Sequence, residues 1–471
     1  MDRYFKLKEN GTTVRTEIMA GLTTFMTMAY VLAVNPNILS AFGSGATGMD
    51  WTAVFLATAI AAGVMTIAMG LFVNFPVALA PGMGLNAYFA TVILSSQGQF
   101  TYQMALTAVF ISGIIFIILT VTKVRQLLLV AVPDSIKHAI TVGIGLFITI
   151  IGLKNSGLLT VAVEAANDIP KGKYTDVLSF ETVFHIGSMH DVNVILCVIG
   201  LILISALMVL RVRGAILFGI LLTTLIGIFL HNPDGSPVVN FANLGSEKTT
   251  WVPDLGKLAF AHFDFAGIMN AGIISVIATF TFVELFDTFG TMVGTANRAG
   301  IMKNKEEGNK KVGKAMMVDA IGVSGGALVG TSTVTAYVES SAGIAEGGRT
   351  GLTAVTTGVC FLLALFLAPI AALIPGAATS AALIVVGVLM MQAVREIDFQ
   401  DMVYAIPSFL TIALMPFTYN IANGISFGIV TYVILGTIAN ASGKGQYKVH
   451  WLMWILAILI VLRYVLIGGE G

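Results

Sequence analysis

Residues 74–90 read NFPVALAPGMGLNAYFA, and this proline- and glycine-rich stretch is the strongest single indicator of the architecture. Pro76, Pro81 and the glycines that follow interrupt a segment otherwise apolar enough to lie in a membrane, so a continuous helix is not expected. Non-helical backbone at membrane depth must be buried in protein or line a cavity, because lipid cannot hydrogen-bond to its N–H and C=O groups. The stretch therefore predicts a broken membrane span beside a cavity.

A second stretch of the same kind lies in the other half of the chain, at residues 329–348, which read VGTSTVTAYVESSAGIAEGG. Gly330 and the β-branched residues after it predict an extended segment before a short helix begins. Broken segments at corresponding positions of two halves are typical of transporters built from inverted repeats, whose substrate site lies between the repeats.

A further sequence match supports two repeats. Residues 216–227 (ILFGILLTTLIG) and 425–436 (ISFGIVTYVILG) share the first Ile, the tripeptide FGI and the final Gly. Each follows a short apolar helix that begins just after an acid. Counted along the chain, they are the seventh and fourteenth spans and run in opposite directions. This arrangement predicts two inverted repeats of seven helices.

The composition is that of a polytopic membrane protein. Hydrophobic residues make up 56% of the 471 residues and charged residues 11%, whereas a soluble domain is about 25% charged. The net charge of zero argues against a nucleic-acid partner. Cys197 and Cys360 lie in apolar runs, and the sequence has no metal-ligand spacing such as CxxC or HExxH, so we expect no metal and no cofactor.

Apolar runs of about 17–25 residues are candidate membrane spans. We predict an all-α protein with fourteen such spans and a further apolar stretch at 451–467 that forms an added C-terminal helix. The fourteen spans are residues 18–34, 52–74, 76–95, 102–121, 134–155, 192–210, 214–231, 265–295, 314–329, 331–346, 350–372, 378–394, 402–417 and 421–440.

Lys and Arg are distributed unevenly between the loops. If the amino terminus is cytosolic, 19 of the 25 basic residues fall in cytosolic segments and 5 in outside loops, as the positive-inside rule requires. The charged start, MDRYFKLKENGTTVRTE, has no adjacent apolar core with a cleavage site and is predicted to be a cytosolic tail rather than a signal peptide. We therefore expect a multi-pass protein of the plasma (inner) membrane.

Two acids interrupt the eighth predicted span, IISVIATFTFVELFDTFGTMVG at residues 273–294. Glu284 and Asp287 share one helix face, where a carboxylate costs at least a few kcal/mol in lipid. We expect them to serve a substrate, a cation or a proton; the alternative is a structural pair satisfied by neighbouring hydroxyls. Glu339, at the start of the half-helix in the second broken segment, is expected to face Asp287 or else to act as a helix-capping acid.

The candidate site suits a planar heterocycle. Half-helix amino ends and extended backbone offer N–H and C=O groups, and Asn86 adds an amide with donors and acceptors. No histidine falls in this site, which leaves carboxylates as the proton carriers. An anion exchanger or channel-like protein of the same fold is the main alternative, but three carboxylates converge here without Arg or Lys. No nucleophile–base pair or phosphate loop stands out, so an enzyme is not expected.

Four blocks together resemble one known family. They read AGLTTFMTMAYVLAVNP, PVALAPGMGLNAYFA, ELFDTFGTMVGTANRAG and GTSTVTAYVESSAGIAEGGRTG, and the likeness extends over about residues 10–440. The chain resembles the purine-permease branch of the nucleobase–cation symporters, which comprises adenine and guanine/hypoxanthine transporters. The resemblance implies a uracil-permease-like fold, import of purine bases, the proton as coupling ion, an elevator-type movement, and a homodimer in membrane lipid formed through the gate domain.

The resemblance also implies two domains, each assembled from both repeats. A core (transport) domain takes spans 1–4 and 8–11, and a gate domain takes spans 5–7 and 12–14. With the ends of the chain, the expected segments are 1–17 (cytosolic tail), 18–121 and 265–372 (core), 134–231 and 378–440 (gate), and 449–468 (extra C-terminal helix).

The resemblance further implies which residues bind. Asp287 and Glu339 match the acids of spans eight and ten that contact the base, and Asn86 matches a polar position of span three. Thr291 stands where pyrimidine and xanthine relatives carry a larger polar residue, which weighs against uracil or xanthine. For Tyr30 the alternative is simple aromatic packing. The predicted substrate-binding residues are Asp287, Glu339, Asn86, Thr291, Tyr30 and Ser340, and the predicted proton-coupling residues are Glu284, Asp287 and Glu339.

Overall fold

The computed structural model describes residues 2–96, 98–122, 131–161, 184–241, 244, 251–267, 271–303, 305–443, 445 and 447–466. Its helices are α1 (Asp2–Phe5), α2 (Val14–Met28), α3 (Val31–Leu39), α4 (Trp51–Ala68), α5 (Met83–Ser95), α6 (Tyr102–Val121), α7 (Asp134–Asn155), α8 (Val192–Val209), α9 (Ala215–Gly227), α10 (Ala271–Arg298), α11 (Lys305–Val329), α12 (Ser340–Ala345), α13 (Gly351–Leu363), α14 (Ala368–Ala371), α15 (Gly376–Met391), α16 (Met402–Phe417), α17 (Ile421–Ala441) and α18 (Trp451–Leu466). Its strands are β1 (Leu79–Pro81), β2 (Leu159–Val161), β3 (Phe184–Ile186) and β4 (Val334–Ala336).

Among the described residues, nine helical segments are long and apolar enough to cross a membrane. They are Val14–Leu39, Trp51–Val73, Tyr102–Val121, Asp134–Asn155, Val192–Val209, Glu306–Val329, Gly351–Ala371, Gly376–Glu396 and Ile421–Ala441. Shorter apolar helical segments lie at Met83–Ser95, Ala215–Gly227, Val276–Leu285, Met402–Phe417 and Trp451–Leu462. The protein is therefore a helical multi-pass membrane protein, and the count of fourteen spans stays a prediction.

Several helices begin at a side chain that accepts a hydrogen bond from the first turn. Asp50 accepts from the Ala53 N–H at 2.9 Å at the start of α4, and Asp401 accepts from the Val403 N–H at 2.9 Å at the start of α16. Such N-caps satisfy amide groups that have no partner within the helix. Acids placed directly before apolar runs therefore mark where these helices start.

β1 and β4 pair antiparallel, although they come from opposite halves of the chain. The register pairs Leu79 with Ala336 and Pro81 with Val334, and all six strand residues are buried. β1 leads into α5 and β4 leads into α12. Gly330 precedes β4 at a φ of +101°, a backbone conformation that favours glycine. The pairing satisfies backbone N–H and C=O groups of both buried segments.

The helices pack in two groups. The first group contains α2–α6 and α10–α13, in which α2 packs against α13 and α6 against α11. The second group contains α7–α9 and α15–α18, in which α7 packs against α15 and α16. The groups meet where α5 contacts α7 and where α3 contacts α15. Each group thus combines segments from both halves of the chain, and the β1–β4 pair belongs to the first group.

The C-terminal helix α18 packs along α17. Met453 and Ala457 of α18 are buried, and the Tyr464 hydroxyl donates a hydrogen bond to Asn423 Oδ1 at 2.6 Å. Its opposite face is apolar and exposed, with Trp454 among the exposed side chains. α18 therefore enlarges the apolar surface of the second helix group.

Candidate functional site

A cavity of about 90 Å³ lies beside the β1–β4 pair, at the junction of the two helix groups. The first helix group contributes residues 82–85 and 335–339 together with Tyr30, Val283 and Thr291, and the second contributes Ile144, Val386 and Met390. The first group therefore supplies the polar side chains and the two backbone segments that line the cavity, and the second supplies an apolar wall.

Glu339 is the acid of this cavity. It lies directly before α12, at the end of the extended segment that contains β4. The hydroxyl of Tyr30, in the break between α2 and α3, donates a hydrogen bond to Glu339 Oε1 at 2.9 Å. Tyr30 is 1% exposed, and both residues line the cavity. A fixed donor on one carboxylate oxygen holds the side chain in place, so the acid can accept hydrogen bonds from a bound molecule.

Glu284 lies one layer behind this cavity. Its side chain is fully buried on α10, and its Oε1 accepts a hydrogen bond from Thr288 Oγ1 at 3.3 Å. Thr288 Oγ1 in turn lies 2.9 Å from the hydroxyl of Thr335, which lines the cavity. Two hydroxyls therefore connect the buried acid with the cavity wall.

Thr291 and Asp287 are the two other predicted residues on α10. Thr291 lines the cavity, one helical turn after position 287. The side chain of Asp287 lies outside the described part of the structure. Its assignment as a substrate contact therefore stays a prediction.

Asn86 and Ser340 lie next to the β1–β4 pair and are not among the residues that form the described cavity wall. The hydroxyl of Ser332 donates to Asn86 Oδ1, and no partner is found among the described residues for the buried Asn86 Nδ2. The Ser340 hydroxyl accepts a hydrogen bond from the Ala78 N–H at 3.0 Å. Both side chains brace the two extended segments, and their roles as substrate contacts stay predictions.

The structure also adds a residue that the sequence reasoning missed. Asp319 of α11 is fully buried, and its Oδ1 accepts a hydrogen bond from the Ala336 N–H at 3.0 Å. Because Ala336 lines the cavity, Asp319 positions the strand that carries the site. An available signal was the acid within the apolar run AMMVDAIGVSGGALV, residues 315–329. The apolar wall of Ile144, Val386 and Met390 had no comparable signal.

A larger cleft of about 610 Å³ lies away from this chemistry, between the loop before α4 and the loop before α15. Its lining includes Asn37, whose Oδ1 accepts from Trp51 Nε1 at 2.6 Å and whose Nδ2 donates to Thr379 Oγ1 at 3.0 Å. Its acid, Asp50, serves as the cap of α4. The smaller cavity combines a carboxylate, hydroxyl groups and the two extended segments at the junction of the helix groups, so we take it as the functional site despite its size.

The chemistry of the small cavity favours donors of hydrogen bonds. Its described lining contains a carboxylate, two threonine hydroxyls, two tyrosine hydroxyls and extended backbone, and it contains no Lys, Arg or His. The tyrosine hydroxyls donate within the protein, Tyr30 to Glu339 and Tyr337 to the Pro81 carbonyl. Among the described residues, no group of three or more His, Cys, Asp or Glu is arranged to hold a metal ion. The arrangement fits a neutral molecule with N–H groups, or a proton, better than an anion.

Comparison with known proteins identifies the family of this chain. The family model described as "Permease family" (Xan_ur_permease) matches residues 15–427. The chain is 39% identical over 471 residues to the adenine permease AdeP of Escherichia coli K12, covering 100% of this chain and 97% of that protein. It is 40% identical over 462 residues to the guanine/hypoxanthine permease PbuO of Bacillus subtilis 168, covering 98% of this chain and 99% of that protein.

Solved structures are similar in fold. The transmembrane domain of a cyanobacterium bicarbonate transporter, BicA, aligns with a TM-score of 0.58 at 17% identity, covering 88% of this chain and 97% of that one. At this identity the likeness concerns the fold alone. The match over residues 15–427 and the full-length relatives near 40% identity decide the family. This chain belongs to the permease family, in the branch that includes adenine and guanine/hypoxanthine permeases, and it is a transporter rather than an enzyme.

Proposed function

We propose that this protein imports purine nucleobases, with guanine and hypoxanthine favoured over adenine, by proton symport. The observation that carries the proposal is the Glu339 carboxylate, held by the Tyr30 hydroxyl in a cavity between the two helix groups. Relatives that align over nearly the whole chain are named for adenine and for guanine/hypoxanthine. A purine presents ring N–H groups to such a carboxylate and acceptor atoms to backbone N–H groups.

In this mechanism the base lies against the extended segments. Glu339 accepts a hydrogen bond from an N–H of the base, and Asp287 accepts a second one from the side of α10. The Thr335 and Thr291 hydroxyls form hydrogen bonds with neighbouring atoms at the edge of the base. The apolar wall from the second group covers the ring face. This division gives orientation through hydrogen bonds and affinity through buried apolar surface.

Proton coupling is assigned to Glu284, Asp287 and Glu339. A bare carboxylate carried through the low-dielectric region of a membrane costs several kcal/mol, and a bound proton or an N–H donor removes much of that penalty. The first helix group, which carries these acids, then moves across the membrane barrier only when the acids are protonated or paired with substrate. The hydroxyl chain from Glu284 through Thr288 to Thr335 supports a link between the buried acid and the substrate cavity.

We propose an elevator-type movement of the first helix group, as the core, against the second, as the gate. The architecture proposed is fourteen spans in two inverted repeats, with broken spans three and ten, and a homodimer formed through the gate. The cavity volume of about 90 Å³ supports movement, because ligand sites are usually about 300–1,000 Å³. A base would enter only after the two groups separate.

Binding and uptake assays test the proposal. Purified protein is expected to bind radiolabelled hypoxanthine and guanine, with adenine as the next candidate, and to bind neither uracil nor sulfate. In proteoliposomes without sodium, uptake is expected to rise as the outside pH falls. Sulfate binding without purine binding would instead support the anion-transporter alternative. Uptake that follows a sodium gradient and ignores pH would exclude proton symport.

An ion pair between the groups gives a test of the movement. Arg213 lies in the turn between α8 and α9, and Glu346 lies directly after α12. Arg213 Nη2 is 2.6 Å from Glu346 Oε1. Because the pair must break when the groups move, Arg213→Ala is expected to raise the uptake rate about two- to fivefold, the range that an exposed ion pair allows. Purine affinity at equilibrium should rise by no more than the same factor, because a base enters only after the groups separate.

The control for this prediction is Lys310→Ala, which removes the exposed Lys310–Glu306 pair within α11 and should leave uptake unchanged. The charge-reversed double variant, Arg213→Glu with Glu346→Arg, should return the rate to the wild-type value. An unchanged rate in Arg213→Ala, with normal amounts of protein in the membrane, would show that the pair does not restrain transport.

A further inference from the structure

Two helices from different groups touch at the cavity wall. Gly84 of α5 and Ile144 of α7 both line the cavity. A Cβ atom added to Gly84 would come closer to Ile144 Cγ2 than real Cβ atoms approach other heavy atoms. The Cγ2 methyl is attached at the branched Cβ, whose rotation is restricted, so it cannot easily turn away. At this point the two groups are packed without room for one more methyl group.

The wall behind Ile144 is rigid. A Cβ on Gly145, the next residue of α7, would lie 2.8 Å from Met390 Cβ and 2.9 Å from the Gly387 carbonyl oxygen of α15. α7 and α15 are therefore in close contact, and Ile144 is 3% exposed. A side chain backed in this way keeps its position against a bound molecule, because close-packed interiors yield little.

We infer that Ile144 sets the size of the purine that the site accepts. The inference rests on the proposed transport function. Polar groups of the first helix group form hydrogen bonds with the edges of the base. The branched side chain of Ile144 excludes substituents that extend toward α7. Gly84 leaves the space on the opposite side into which the Ile144 methyl fits. Bases without a bulky substituent fit beside Ile144, whereas purines that carry a bulky exocyclic group do not.

The test is Ile144→Ala with Ile148→Ala as the matched control. Ile148 is one turn further along the same helix, is fully buried and loses the same volume, but it is not in the cavity wall. Binding of a labelled parent base is competed with adenine, guanine, N6-benzyladenine and N2-benzylguanine. In Ile144→Ala the preference for parent over benzylated base should fall by roughly tenfold or more, as expected when a buried pocket gains volume. In Ile148→Ala it should stay at the wild-type value.

A second pair of variants tests the same wall without bulky ligands. Gly84→Ala should lose uptake because its methyl meets Ile144, and Gly84→Ala combined with Ile144→Ala should regain it. Equal preferences in the two alanine variants of α7, or no recovery in the double variant, would overturn the inference while wild-type purine binding remains. If the proposed function itself is wrong, the wild-type protein binds none of the parent bases, and the role of Ile144 in limiting substrate size is then excluded as well.

Discussion

Replacing Glu339 with glutamine is expected to abolish purine uptake and to weaken purine binding about 100-fold, because a carboxylate that accepts charge-assisted hydrogen bonds becomes an amide. The amide oxygen can still accept from the Tyr30 hydroxyl, but the NH₂ group then faces the N–H donors of the base. Donor against donor inside a buried site leaves both without a partner. Uptake by cells and binding to purified protein measure the two effects separately.

The control for this prediction is Glu306→Gln, which makes the same chemical change at an exposed acid paired with Lys310. Glu306→Gln should transport as the wild type does. Tyr30→Phe should give an intermediate loss, because the acid remains but its fixed donor is removed. Asp287→Asn is also expected to abolish uptake while the protein reaches the membrane. Normal uptake in both the Glu339→Gln and Asp287→Asn variants would exclude these acids from the site.

Glu17→Ala is expected to destabilise the protein by about 3–5 kcal/mol, because a fully buried acid serves as a cap for a helix other than its own. Glu17 lies on α2, and its Oε1 accepts from the Arg349 N–H at 2.8 Å. Its Oε2 accepts from the N–H groups of Thr350 and Thr353, each at 3.2 Å, and from the Thr353 hydroxyl at 2.6 Å. The variant leaves three amide groups at the start of α13 without this acceptor.

Thermal unfolding of the purified protein in detergent measures this effect. Glu17→Ala should unfold at a clearly lower temperature and yield less folded protein, whereas Glu17→Gln should retain part of the stability because its amide oxygen still accepts hydrogen bonds. Glu9→Ala is the control, since Glu9 is exposed and pairs with Lys6 at the surface. An unfolding temperature equal to that of the wild type in Glu17→Ala would show that other groups satisfy the start of α13.

Much of the helical framework follows from local sequence. The predicted segments 102–121 and 134–155 coincide with α6 and α7, and the runs that follow Asp191 and Asp401 begin helices at the next residue. These features depend on hydropathy and on a capping side chain, both of which act within a few residues. The extended segments before α5 and α12 also follow from local sequence, because proline, glycine and β-branched residues disfavour a helix there.

Local sequence was enough to predict a multi-pass helical protein whose apolar segments contain acids and proline- or glycine-rich interruptions, and four motif blocks together were enough to predict the family. Which side chains meet depends on the three-dimensional structure. The Tyr30 hydroxyl reaches Glu339 across 309 positions of the chain, Asp319 holds the backbone of β4, and Ile144 closes the cavity from the second helix group. Hydropathy and capping are short-range properties, whereas convergence of side chains depends on how distant helices pack, and that packing is a property of the whole chain.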